Sequence, residues 1–229
     1  MDLSLSPADT GALLLSLRVS AVAVFGAFPV AFAAALLLAR VNFPGKTLVD
    51  GLIHLPLVLP PVALGFLLLL IFGTRAPLGA FLLHVFGLRF VFNWTGAVLA
   101  SAIITFPFQV RAIRLSLEAA DRNLSLAAET LGAGWWDRLA NITLPLAFPG
   151  VVAGLITAFA ASLGEFGAII TFVSNIPGET QTLPLAIYSA LQSPGGEERA
   201  VRLSLISITL ALIFMVLAEF AQRRARESA

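Results

Sequence analysis

Residues 12–39, ALLLSLRVSAVAVFGAFPVAFAAALLLA, carry a single charge, Arg18. Coiled as an α-helix at about 1.5 Å per residue, such a run exceeds the ~30 Å hydrocarbon core of a bilayer. Comparable apolar runs recur at 52–72, 96–110, 144–161 and 203–220. The chain has 229 residues, of which 59% are hydrophobic and only 12% charged. Soluble domains carry roughly a quarter charged residues, and a soluble fold of this size could not hide so much apolar surface. The sequence therefore predicts an all-α polytopic membrane protein, a single transmembrane domain over 1–229.

Five spans are expected. They fall near 13–39, with Pro29 as a kink, then 50–72, 94–115, 144–172 and 202–221. Residues 73–93 form a mixed loop with room for a short interfacial helix, and a sixth, short span within 76–92 is the alternative count. In the second span Pro56, Pro60 and Pro61 each lack an N–H donor, so an unbroken helix is excluded. The carbonyls they free need other protein groups or a water-lined cavity. An odd number of spans puts the termini on opposite sides. The positive-inside rule decides which: Arg40, Lys46, Arg111, Arg114, Arg122, Arg138, Arg223, Arg224 and Arg226 fall on one side, against Arg18, Arg75, Arg89, Arg199 and Arg202 on the other. The N-terminus is then outside and the C-terminus cytoplasmic. The acidic first ten residues lack the basic start of a cleavable signal peptide, so the first span is expected to serve as the insertion signal.

Other classes fall away on composition. A net charge of +1 gives no basic footprint for nucleic acid. The absence of cysteine removes disulfides, thiolate metal sites and thiol catalysis. Two histidines, His54 and His84, and no intramembrane acid cluster leave no metal site and no catalytic constellation, so no cofactor is expected. Gly45-Lys46-Thr47 lacks the earlier glycine of a phosphate-binding loop, because Arg40 stands in its place. The sequons at Asn93 and Asn141 have no supporting context.

One polar excursion, 118–143, interrupts this apolar chain. Leu124, Ala127, Ala128 and Leu131 recur at the spacing of one helical face, while Arg122, Ser125 and Glu129 fall on others. Gly132-Ala133-Gly134 supplies residues suited to ending a helix and turning. A second amphipathic stretch with Trp136, Leu139, Ala140 and Thr143 leads into Leu144-Pro145, and proline is tolerated in a first helical turn. Such a helix–turn–helix either lies along the membrane surface or receives an aqueous partner.

The spacing from Gly132 through nine residues to Ile142, then Leu144-Pro145, resembles the signature loop of ABC importer permeases. Ala127 and Ala128 also match its pattern, whereas Leu126 stands where that pattern has Glu. Further segments resemble the molybdate ABC permeases: 54–61 (HLPLVLPP), 111–114 (RAIR), 162–168 (SLGEFGA) and 175–184 (NIPGETQTLP). The Gly-Glu-Phe-Gly part is also similar to sulfate and tungstate permeases.

The resemblance implies a type I ABC importer permease-like fold in a bacterial or archaeal inner membrane. It also implies a homodimer, two cytoplasmic ATPase subunits and an extracytoplasmic oxyanion-binding protein. In that family the loop is a coupling helix seated in a cleft of the ATPase. Carried over, this makes Leu124, Ala127, Ala128, Glu129, Leu131 and Gly132 the ATPase-contacting residues. The chain would be a transport subunit that hydrolyses no ATP itself.

Within the spans, Glu165 is the one acid well inside an apolar run, which marks it as functional by default. Two readings stand: a structural carboxylate bonding nearby N–H groups or an arginine, or part of an outer gate with Gly164 and Gly167. Pro60 and Pro61 belong either to a kinked packing helix or to an irregular segment lining the pathway. Arg111 and Arg114 either anchor a helix end or attract the anion or the ATPase. His54 reads as an interfacial hydrogen-bonding residue, and Gly150 and Gly154 form a GxxxG pair suited to helix contact. The competing function is a proton-coupled secondary carrier or channel using Glu165.

Overall fold

The computed structural model describes residues 5–119 and 127–227. Helix α1, Pro7–Arg40, opens on a reciprocal cap: the Asp9 N–H donates to Ser6 Oγ (3.1 Å), and the Ser6 N–H donates to Asp9 Oδ2 (3.3 Å). Two of the donors that a helix start leaves unpaired are thus satisfied. Pro29 lies within α1 and does not end it. Close to that proline, the buried Gln109 of a neighbouring helix donates from Nε2 to the Val24 carbonyl at 3.4 Å.

The expected second span is divided. Helices α2 (Lys46–Val58) and α3 (Pro61–Phe72) meet at Leu59–Pro60 with a bend of 114°. Of the three prolines only Pro60 and Pro61 mark the break, and Pro56 sits inside α2. A short helix α4, Pro77–Phe86, occupies the expected loop and ends at Gly87, whose φ of +66° is the left-handed conformation common after a helix. Helix α5 runs Trp94–Ala119.

After residue 126, helix α6 covers Trp135–Leu163 and includes a π-helical turn, Leu139–Thr143. The expected fourth span does not continue to 172. It stops at Leu163, and a separate helix α7, Gly167–Val173, follows. Helix α8, Leu183–Leu191, was not anticipated, and α9, Glu197–Glu227, completes the chain. Among the described residues, four helices are long and apolar enough to cross a membrane, or five when the bent α2–α3 pair counts as one.

α1, α5 and α6 form the central packing unit. Ala31, Ala35 and Leu38 meet Val110, Ile113, Leu117, Ala147 and Val151 toward the Arg114 end. Toward the Trp94 end, Leu64, Leu68, Ala97, Ala100, Ile169 and Phe172 form a second cluster. Gly150 and Gly154 explain how close α5 and α6 come. A Cβ on Gly150 would stand 2.6 Å from the Ala112 carbonyl oxygen, and one on Gly154 would stand 3.2 Å from Gln109 Cα. Large apolar side chains such as Phe25, Val30, Leu52, Ile208 and Met215 face outward, the inverse of a soluble surface and suited to lipid.

Candidate functional site

The two interruptions in the helices lie against each other. A Cβ placed on Gly167 would come within 2.8 Å of Pro61 Cβ, and one on Gly65 within 2.6 Å of the Ala168 carbonyl oxygen. The start of α3 and the start of α7 therefore touch backbone to backbone. Pro60, Pro61, Glu165 and Gly167, far apart in sequence, occupy one locality. Gly164 caps the C-terminus of α6, and an added Cβ there would meet only that helix, the nearest atom being the Ala161 carbonyl oxygen at 3.8 Å.

Glu165 is 8% exposed and closes the N-terminus of α7, accepting from the Ala168 N–H at 2.8 Å. A helix start leaves its first N–H groups without partners, and in a membrane interior water cannot satisfy them. The carboxylate does so here. Among the described residues no ion pair reaches Glu165, so of the structural alternatives it is the N–H capping that the geometry displays.

The segment after α7 is fastened by its own polar groups. Pro177 and Gly178 (φ +81°) form a turn closed by Glu179 N–H to Ile176 carbonyl (3.1 Å). The buried Thr180 Oγ1 accepts from the Ile176 N–H and donates to the Ser174 carbonyl, both at 2.9 Å. Gln181 Nε2 donates to Asn175 Oδ1 (3.0 Å), and the Leu183 N–H donates to Ser16 Oγ of α1 (2.6 Å). Near the same end, the fully buried Asp9 takes Arg199 Nη2 at 2.8 Å and Arg202 Nη2 at 3.6 Å, tying α9 to α1.

At the opposite end of α5, Arg114 lies between two acids. Its Nη1 is 3.0 Å from Asp50 Oδ1, and its Nε is 2.7 Å from Glu118 Oε1. His54 Nδ1 is 2.9 Å from the Asp50 carbonyl, which agrees with a hydrogen-bonding role. Arg111 lines the same cleft of about 290 Å³; no ion pair holds it among the described residues. The two arginines thus differ: Arg114 ties α2 to α5, and Arg111 leaves its charge open.

The expected coupling segment is described from Ala127 onward; Leu124 and Leu126, with Arg122 and Ser125, lie outside the described residues. Residues 127–130 are a helical turn. It ends with the Ala133 N–H on the Ala128 carbonyl (2.9 Å) and the Gly132 N–H on the Glu129 carbonyl (3.0 Å). With Gly132 at φ +87°, this is the Schellman arrangement. Glu129, displaced in sequence from the family's usual acid, pairs with Arg138 across the turn. Leu131 is 88% exposed, and Trp135 and Trp136 are exposed beside it. A stapled turn carrying bare apolar side chains leads directly into α6.

The sequence did not disclose the Asp9–Arg199 pair or the Asp50–Arg114 bridge. Only the i, i+4 spacings of Asp50 with His54 and of Arg114 with Glu118 carried a local sign of the second cluster. Gly65, the partner surface of α7, looked like any glycine in an apolar helix.

Residues 27–227 match the family model for the binding-protein-dependent transport system inner membrane component. The chain is 55% identical over 218 residues to the molybdenum transport system permease protein ModB of Escherichia coli strain K12, covering 95% of each. It is also 55% identical over 216 residues to the protein of that name from Haemophilus influenzae, covering 94% of each. Among solved structures, a bacterial ABC transporter involved in the import of the acidic polysaccharide alginate superposes with a TM-score of 0.73 at 21% identity, covering 97% of this chain and 80% of that one. The MetNI methionine ABC transporter in an inward-facing conformation gives 0.74 at 14% identity, covering 96% and 99%. At such identities the structural likeness carries the fold alone, the type I ABC importer permease architecture. The family match across most of the sequence, with the two relatives at 55% identity, carries more: this chain belongs to the binding-protein-dependent transport system inner membrane components.

Proposed function

We propose that the chain is the membrane subunit of an ATP-driven importer for molybdate, acting as a homodimer with two cytoplasmic ATPase subunits and an outer oxyanion-binding protein. The observation that carries the coupling half of this reading is the stapled turn at 127–138. It is fixed by the Gly132 cap and the Glu129–Arg138 pair, it exposes Leu131 and both tryptophans, and it continues into α6. A body seated on that turn would move α6 without first having to order a loop. The molybdate half rests on the identity to the two molybdenum permeases and on the segment 175–184.

In this account the Arg111 and Arg114 end faces the cytoplasm and the N-terminus lies outside, the arrangement that puts most arginines inside. ATP binding closes the ATPase dimer and pulls the turn, and the helices rock from inward-facing to outward-facing. The contact between α3 and α7, with Pro60, Pro61, Glu165 and Gly167 and the adjoining Gly164, is the pathway or gate element that responds. Coupling requires that both ends make different contacts in the two states. Glu165 holds the α7 start in this scheme, its side-chain oxygen taken up by the Ala168 N–H.

The test is uptake by proteoliposomes containing the chain and its ATPase, given binding protein loaded with molybdate, tungstate or sulfate. ATP-dependent molybdate uptake is the expected result. Uptake driven by a proton gradient without ATP would overturn the proposal, and transport of sulfate alone would overturn the choice of anion.

A further inference from the structure

Beyond transport, we propose that the groove between α1, α2 and α5 holds one acyl chain of an anionic phospholipid, whose phosphate sits on Arg18. The groove has two continuous sections. One, about 580 Å³, is walled by α1, α2 and α5, including Val30, Ile53 and Phe106. The other, about 350 Å³, extends it to Trp94 and Thr95. Ala27, Leu99 and Ala102 line both sections, which makes them one furrow. Its deep section is lined by aliphatic and aromatic side chains throughout, so it suits hydrocarbon and offers nothing to an ion.

Depth and charge select the occupant. From Trp94 to Phe106 the α5 axis advances about 18 Å, close to the ~15 Å of hydrocarbon in a single leaflet. A groove of that length fits one chain of one leaflet, with its headgroup at the Trp94 end. There the Arg18 guanidinium lies 3.9 Å from the centre of the Trp94 ring. Arg18 is exposed, and no ion pair holds it among the described residues. A cation held over an aromatic ring still has its N–H donors to offer, and a guanidinium's fork of donors suits phosphate. Tryptophan at headgroup depth is itself an interfacial anchor. A charge otherwise costly inside a 28-residue apolar run thus gains a partner of opposite sign at the level where lipid phosphates lie.

The experiment uses Trp94 as the reporter. The full chain carrying Trp135→Phe and Trp136→Phe, which leaves one tryptophan, is reconstituted into phosphatidylcholine vesicles. These contain a fixed fraction of either phosphatidylglycerol or phosphatidylcholine brominated on its acyl chains, and quenching of fluorescence is read. Brominated phosphatidylglycerol should quench as though enriched about fivefold at the site, and Arg18→Gln should bring the two lipids level. Ala102→Leu, which narrows the furrow and leaves Arg18 intact, should weaken quenching by both lipids. Equal quenching by the two lipids with Arg18 present would overturn the proposal. So would the absence of quenching by either, the sign that a second copy of the chain covers the groove.

Discussion

Glu165 shows how the membrane changes the meaning of a single side chain. In water, the first N–H groups of a helix such as α7 would find solvent. Beside the Pro60–Pro61 break they find a carboxylate, 2.8 Å from the Ala168 N–H. Removing it should leave a buried donor unpaired at a cost of about 1–3 kcal/mol. Glu165→Ala is therefore expected to lower the unfolding midpoint in detergent by several degrees, while Glu165→Gln, which keeps an acceptor oxygen, should lose less than half as much. Glu165→Gln should also retain ATP-driven uptake; its loss with normal folding would return the proton reading to consideration. Asp9 makes a parallel case. Fully buried against Arg199 and Arg202, it should not tolerate Asp9→Ala, because the Arg199 ion pair at 2.8 Å would be broken. The expected effect is a loss of about 2–3 kcal/mol, given the partial exposure of both arginines, read as earlier thermal unfolding. The Glu165 capping was one of the two readings open in the sequence, whereas the Asp9–Arg199 pair was not legible, since the two stand 190 positions apart and nothing local marks them.

At the level of elements, what could be read followed from chemistry within a few residues. Apolar runs located all four long helices, and the missing N–H groups at Pro60 and Pro61 predicted the break. Pro56 did not break α2, because a single proline can be accommodated where neighbours re-satisfy the backbone. The end of α6 at Leu163 was hidden. Residues 164–167 read as a continuation of an apolar run, and the carboxylate that caps the next helix looked like an intruder in it. α8 did leave a sign, Thr182 at the cap position and Pro184 in the first turn, a start signal that outranks the short length of the run. The GxxxG pair was a weak signal in sequence, and packing gave it its use: α5 approaches so near that Gly150 has no room for a side chain. Gly150→Leu should force α5 and α6 apart at a cost of about 1–3 kcal/mol, whereas Gly26→Leu, with nothing within 4 Å of its added Cβ, should be close to neutral. Comparing the unfolding midpoints of the two variants checks the claim.

For the whole molecule, the fold divides the labour along the bilayer normal. One end ties α1, α8 and α9 together through Ser16, Asp9 and Arg199, and the other joins α2 to α5 through Asp50 and Arg114. The breaks after Leu59 and after Leu163 interrupt regular backbone bonding where α3 and α7 touch. The turn at 127–138 lies outside this frame, and the proposed function depends on its being where the ATPase holds on. In the proposed docking, shape would carry that contact. Glu129 is committed to Arg138, and Leu126 replaces the acid usual in the family, so apolar Leu131 and the Gly132 bend are left to fit a cleft. The most direct measurement is copurification of the ATPase with tagged permease for Leu131→Asp, which leaves the turn's backbone intact, and for Gly132→Arg, which forces a side chain into a φ of +87°. Both variants should fold and reach the membrane like the native chain, yet retain less than about a tenth of the bound ATPase, a loss of the size expected when a central apolar contact is removed. Native levels of ATPase on both, with uptake unchanged, would contradict the account.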